Sequence, residues 1–119
     1  MIVSDVLSVS GLDVVTREVY LHQFVDQLRR SNAVERRRAL EITSAPKGSW
    51  TAVVAATVEC ICNEAQESPP EWTNVVSDVP VYIPEVPSGS PAALVLRRIS
   101  PGVFRKHNIF VSPKFLSRC

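Results

Sequence analysis

Between positions 69 and 91 the chain carries Pro69, Pro70, Pro80, Pro84, Pro87 and Pro91. Each proline fixes its own φ and lacks a backbone donor, so neither a long helix nor a central strand can run through this stretch. Residues 67–90 therefore read as an extended, wrapping segment, with Ser88-Gly89-Ser90 as a flexible turn. It is not plain linker, because Trp72, Val75, Val76, Val79, Val81, Tyr82, Ile83 and Val86 are too apolar to be left in water. Such residues in an extended chain lie in a groove, formed either by the chain's own helices or by a partner. Val79–Ile83 also fits a short edge strand, where neighbouring prolines are tolerated.

The segment upstream is helical in pattern. Leu21, Phe24, Val25 and Leu28 follow the i, i+3, i+4, i+7 spacing, which predicts an amphipathic helix over Leu12–Leu28 with Ser10 or Asp13 as its cap. Ser31 and Asn32 then offer a break, and Asn32 with Glu35 makes a capping box for a second helix over Ala33–Ile42. Ser44-Ala45-Pro46-Lys47-Gly48 ends it. Ser49 is placed to cap a third helix reaching about Gln66, in which Trp50, Val53, Val54, Val58, Ile61 and Ala65 recur at helical spacing and alanines fill most of the rest. This is the expected core helix.

After the proline segment, Ser90-Pro91, Ser100-Pro101 and Ser112-Pro113 each place a capping hydroxyl before a proline suited to the first helical position. Three short helices are expected, over 91–99, 101–107 and 113–117, with Ile109-Phe110-Val111 between the last two as a strand or buried link. The fold class is mainly α: a small helical domain with a Pro-rich extended segment and short C-terminal helices. At 119 residues and 13.1 kDa one domain is expected. Its parts are a helical core at 1–66, the wrapping segment at 67–90 and a short-helix region at 91–119.

Composition and charge narrow the function classes. The longest apolar stretch, Ala52–Cys62, is shorter than the roughly 20 residues needed to cross a bilayer. The start, MIVSDVLSVSGLD, lacks a basic residue ahead of an apolar run, so no membrane association and a cytoplasmic location are expected. The net charge of +1 argues against a dedicated polyanion binder. Cys60 and Cys62 point about 200° apart on a helix, so they cannot bridge each other, and reduced, buried thiols are expected. Four glycines, at 11, 48, 89 and 102, build no phosphate loop or dinucleotide fingerprint. His22 and His107 lack HxxxH or CxxC company, so no metal or cofactor is expected. Glu59, alone among apolar neighbours, reads as a boundary residue or as the partner of an arginine, and His22 as a partly buried structural histidine. No catalytic constellation emerges, and the chain reads as a binding protein and not an enzyme.

One alternative is a DNA-binding autorepressor, because Arg36, Arg37 and Arg38 open the second helix after a tight turn, as in a helix-turn-helix. That helix offers few Asn, Gln, Ser or Thr side chains to read base edges. A further alternative is an accessory subunit of an unrelated complex.

The C-terminal run Ser100-Pro101-Gly102-Val103-Phe104-Arg105-Lys106-His107-Asn108-Ile109-Phe110-Val111, continuing to Phe115-Leu116-Ser117-Arg118, resembles the ending of an uncharacterised family of small bacterial proteins. These close on a stretch such as SPxxFRxRNIFVxxxxLxR. Upstream, Pro69-Pro70-Glu71-Trp72 after an Ala-rich helix is similar to the same family, so the likeness covers roughly residues 48 to 118. Lys106 and His107 stand where arginines are usual, and Val81-Tyr82-Ile83-Pro84 where an aromatic-proline pair is common. Members are often encoded beside nucleotidyltransferase-like proteins, an arrangement similar to toxin-antitoxin pairs. The resemblance implies an antitoxin-like partner of such an enzyme and carries over no catalytic residue. Candidate partner contacts are Trp72, Tyr82, Phe104 and Phe110 as anchors, with Arg105 and Arg118 pairing to the acidic residues that hold Mg²⁺ in such an enzyme. Alternatively Phe104, Ile109, Phe110, Phe115 and Leu116 fold back onto the 50–65 helix and complete the core.

Overall fold

The computed structural model of the chain describes residues 1–116. The candidate contact Arg118, the end of the expected 113–117 helix and Cys119 lie outside the described residues. About 53% of the described residues are helical, in six helices and a short 3₁₀ turn, with a small two-stranded sheet. No helix among the described residues is long and apolar enough to cross a membrane.

The centre is the helix Ser49–Glu64, in which every residue from Trp50 to Cys62 is buried. A helix that is apolar nearly all round must be surrounded. Around it stand Val3–Leu7, Val14–Arg30, Gly102–Arg105 and Ile109–Val111. In chain order the helices are α1 (Val3–Leu7), α2 (Val14–Arg30), α3 (Ala33–Ala39), α4 (Ser49–Glu64), α5 (Pro91–Ile99) and α6 (Gly102–Arg105); the strands are β1 (Val81–Ile83) and β2 (Ile109–Val111).

α2 buries the four residues its spacing named, Leu21, Phe24, Val25 and Leu28. Each such side chain contributes about 1.5–3 kcal/mol by leaving water. Asp13 is its cap: Oδ1 accepts from the Thr16 N–H at 2.9 Å, and this bond lowers the pKa of the Asp13 carboxyl. Asn32 and Glu35 form the expected capping box of α3, with reciprocal bonds of 2.9 Å. α3 ends at Ala39, short of the expected Ile42. The helix α1 was not expected from the sequence. Its buried Val3, Val6 and Leu7 span too few residues to register as a period, and the Asp5 carboxylate secures its start by accepting from the Ile2 N–H at 2.8 Å. The Trp50 indole N–H donates to the Val6 carbonyl at 2.9 Å and ties α1 to α4.

Ser49 does not cap α4. Gly48, at φ 141°, occupies the cap position without a side-chain bond, and the Ser49 hydroxyl lies 3.0 Å from that of Ser77 instead. At the other end Gln66 adopts φ 57° and the Glu67 N–H reaches back to the Cys62 carbonyl at 2.8 Å, closing the helix with a left-handed residue.

The proline segment holds no long helix among the described residues. It makes a 3₁₀ turn at Glu71–Thr73, where the Trp72 indole donates to the Leu40 carbonyl at 2.9 Å, and then forms β1. β1 pairs in parallel with β2, Val81 opposite Ile109, Tyr82 opposite Phe110 and Ile83 opposite Val111. The Ile83–Pro84 peptide bond is cis.

Only one of the three Ser-Pro pairs starts a helix as predicted. Ser90 caps α5, its hydroxyl accepting from the Ala93 N–H at 3.2 Å, with Pro91 in the first position. Ser100 serves the sheet: its hydroxyl accepts from the Val111 N–H at 2.7 Å and contacts the Leu96 carbonyl at 2.5 Å. α6 therefore begins one residue late, at Gly102, with Pro101 outside it. Residues 113–116 form turns and not a helix, and the Phe115 N–H donates to the Ser112 carbonyl at 2.9 Å.

Candidate functional site

The aromatic residues singled out from the sequence are placed mostly inside. Phe104 is fully buried on α6, edge to face with Phe115 at 5.9 Å, and has no surface to offer a partner. Tyr82 and Phe110, opposite each other across the β1–β2 pair, stack at 5.4 Å in a small second core with Ala93 and Leu96. The guanidinium of Arg97 lies over the Phe110 ring at 4.5 Å, and its Nε donates to the Tyr82 hydroxyl at 2.8 Å. Trp72 is half-buried against the main core. Arg105, at the end of α6, is exposed and makes no side-chain hydrogen bond or ion pair among the described residues.

The arginines of α3 divide. Arg36 is held by a two-pronged ion pair with Glu67, both bonds 2.9 Å, and its third nitrogen donates to the carbonyls of Leu28 and Ser31. This pairing lowers the pKa of the Glu67 carboxyl and raises that of the Arg36 guanidinium. Arg36 thus joins the end of α2, α3 and the exit of α4. Arg37 and Arg38 point to solvent.

Sequence spacing missed one polar cluster entirely. Glu59, buried in the middle of α4, meets no arginine; its carboxylate accepts from Lys106 at 2.5 Å and lies 3.6 Å from Nε2 of His107. The Nδ1 of His107 is 2.6 Å from the Val75 carbonyl and must donate to it, because a carbonyl only accepts. Lys106 and His107 lie 47 and 48 residues from Glu59 (106−59 and 107−59). No local motif can show that proximity; the one signal was a carboxylate in an apolar helix, which demands a partner. Glu59 and His107 are both nearly sealed from solvent and line neither of the two cavities described below. The cluster pins the α6–β2 connection to the core helix. His22 is half-buried edge-on to Phe115 at 5.1 Å, as a structural histidine would be.

Cys62 is free and buried, and burial pushes its thiol up to about 11, with the nearby Glu67 charge adding to the shift. A thiol held protonated is no nucleophile near neutral pH. Cys60 is disulfide-bonded, which corrects the expectation of a reduced thiol at that position.

Two concavities stand out among the described residues. The smaller, about 410 Å³, lies between α2, the start of α4 and β1; its charged rim mixes Arg17 with Glu18 and Glu85. Arg17 is not free to move there, since its guanidinium stacks 5.0 Å over the Trp50 ring and donates to the Ser10 carbonyl at 3.2 Å.

The larger is a groove of about 1390 Å³. Its walls are the end of α3 with residues 40–45 on one side and residues 67–75 on the other; Leu40, Trp72 and Val75 supply apolar lining, and Glu41, Glu71 and Arg37 supply charge. The irregular strip 42–45 has no backbone hydrogen bond within the described residues, so its N–H and C=O groups are unsatisfied by the fold. In the sequence pattern Ile42 belongs to the second helix and Ser44-Ala45 to the segment that ends it, so nothing there marks a groove wall. A groove of this volume exceeds the ~300–1,000 Å³ usual for small-molecule sites. Chemically it can hold apolar side chains, attract cations at its carboxylates and pair with main chain.

Comparison with protein-family models, with curated proteins and with solved structures finds no match for this chain.

Proposed function

We propose that the chain is a non-catalytic protein-binding module, an antitoxin-like partner that neutralises or regulates a nucleotidyltransferase-like enzyme. The observation that carries the binding reading is the groove beside Trp72, which is larger than a small-molecule pocket and bordered by unpaired backbone. The class of partner rests on the likeness of residues 100–118 to the ending of the bacterial family described above. Of the contacts proposed from the sequence, Arg105 and the exposed part of Trp72 are available on the surface; Phe104, Tyr82 and Phe110 support it from within. A cytoplasmic location belongs to the same proposal, and the disulfide at Cys60 is the observation that opposes it, since such bonds are rare in reducing compartments.

Co-expression with a nucleotidyltransferase-like protein encoded in the adjacent gene tests the proposal. Co-purification and relief of that protein's toxicity are the expected outcomes; neither occurring would sink the antitoxin reading. In the same preparation, fluorescence anisotropy with promoter DNA tests the autorepressor alternative, which Arg37 and Arg38 would have to carry because Arg36 is engaged by Glu67. Salt-sensitive binding at micromolar protein, lost on Arg37→Ala/Arg38→Ala, would favour that alternative.

A further inference from the structure

We propose that the groove between residues 40–45 and 67–75 receives an extended peptide segment in which apolar and basic residues alternate, paired through its main chain to the strip 42–45. This deepens the protein-binding reading and rests on it for the source of the peptide. Three features of the groove converge on that ligand.

Along residues 42–45 the backbone donors and acceptors make no hydrogen bond among the described residues, and a neighbouring chain in extended form is the ligand that satisfies several of them together. An extended peptide sends successive side chains to opposite faces. One set would meet the apolar lining of Leu40, Trp72 and Val75. The indole of Trp72 is fixed there by its bond to the Leu40 carbonyl, so the apolar surface is preformed. The alternate set would face the rim, where Glu41 and Glu71 are exposed and make no ion pair or side-chain hydrogen bond among the described residues. Glu67 is already neutralised by Arg36, so those two carboxylates set the sign of the rim against Arg37 alone. Arg37 is placed to donate to carbonyls of the incoming chain.

The test uses the full chain, isotope-labelled for NMR, and two short synthetic peptides, one alternating lysine with valine and threonine, the other with glutamate in place of lysine. With the lysine peptide, amide shifts are expected in residues 41–45 and 70–75 together with the Trp72 indole, and they should weaken as salt is added. Glu41→Lys with Glu71→Lys should weaken binding roughly tenfold or more, since two favourable charge contacts become repulsive. Both residues are exposed and unbonded, so the fold should persist, and an unchanged melting temperature checks that. No shifts at millimolar peptide, equal shifts with the glutamate peptide, shifts confined to another face, or concentration-dependent broadening of the groove without peptide would each overturn the proposal. The last would assign the groove to a second copy of the chain. Loss of the groove result with co-purification intact would leave protein binding standing on another face, whereas peptide binding without co-purification would remove only the enzyme partner.

Discussion

Replacing Phe104 by alanine separates core from contact at the position where the two readings of the C-terminal run differ most. The ring is fully buried, packs edge to face on Phe115, and belongs to the cluster built around α4. Truncating a buried Phe costs about 3–5 kcal/mol, part from lost transfer energy and part from the cavity left behind. For a chain of 119 residues the unfolding entropy is about 0.25 kcal/mol/K, so the melting temperature should fall by roughly 12–20 °C. Total stability for a domain of this size is roughly 6–18 kcal/mol, so the variant should remain folded at room temperature over most of that range.

Arg105→Ala is the matched control one residue away. Its side chain is exposed and unbonded, so the change should stay within about 0.5 kcal/mol, or roughly 2 °C. Thermal melts by circular dichroism, with urea midpoints as a second measure, read both. A Phe104→Ala variant that melts within about 4 °C of the parent would refute the placement of this ring in the core. If the proposed partner is in hand, Phe104→Ala should weaken binding only as far as it depletes the folded population, whereas Arg105→Ala should weaken binding at unchanged stability.

Three further outcomes follow from local chemistry. Ser100→Ala removes a buried hydroxyl that bonds both the N–H and the carbonyl of Val111; leaving that backbone unsatisfied should cost about 1–3 kcal/mol in urea unfolding, with a loss under about 0.5 kcal/mol counting against the assigned role. Glu67 has a folded pKa lowered by Arg36, so its stabilisation is complete above the ordinary carboxylate value of about 4.3 and is lost as pH falls through the folded value below that. The gap in urea midpoint between the parent and Glu67→Gln should therefore be constant from about pH 7 to pH 5 and close in acid; a gap that widens in acid would contradict the sign. Cys62, its thiol raised to about 11, should resist iodoacetamide near pH 7.5 in the native protein and react in denaturant, as peptide mass spectrometry would register.

What the sequence made legible was what depends on neighbours in the chain. The apolar stripe of α2, the capping box of Asn32 and Glu35, and the Ser90-Pro91 start of α5 each rest on residues within one or two turns. The surrounded character of α4 could be read from its alanines and valines, and the lack of a long helix over residues 67–90 from the prolines. What escaped were choices among competing partners. Ser49 and Ser100 both had the right spacing to cap a helix, yet each hydroxyl found a distant partner, Ser77 in one case and Val111 in the other. The Glu59 cluster and the groove likewise depend on the fold bringing residues 106–107 to α4 and residues 70–75 to the end of α3. Periodicity carries no information about such meetings.

The distribution of aromatic side chains bears on how this chain can recognise anything. It has eight, two Trp, two Tyr and four Phe. Phe24, Trp50, Tyr82, Phe104 and Phe110 are buried, and Trp72 and Phe115 half-buried, leaving Tyr20 as the one in the exposed class, and it does not line the groove. Binding surfaces that rely on large anchors place Trp, Tyr or Arg in the centre of a patch. Here the interior has absorbed nearly all of them, because a core helix lined with alanine and valine leaves space that only bulky neighbours can fill. The groove keeps one half-buried indole as its aromatic surface, beside the aliphatic Leu40 and Val75, the charges of Glu41, Glu71 and Arg37, and backbone that is unpaired among the described residues. On the proposed reading, recognition built from those parts would read the extended form and charge of a peptide more than the identity of its side chains. Its affinity should accordingly fall with ionic strength far more steeply than that of an aromatic-anchored interface.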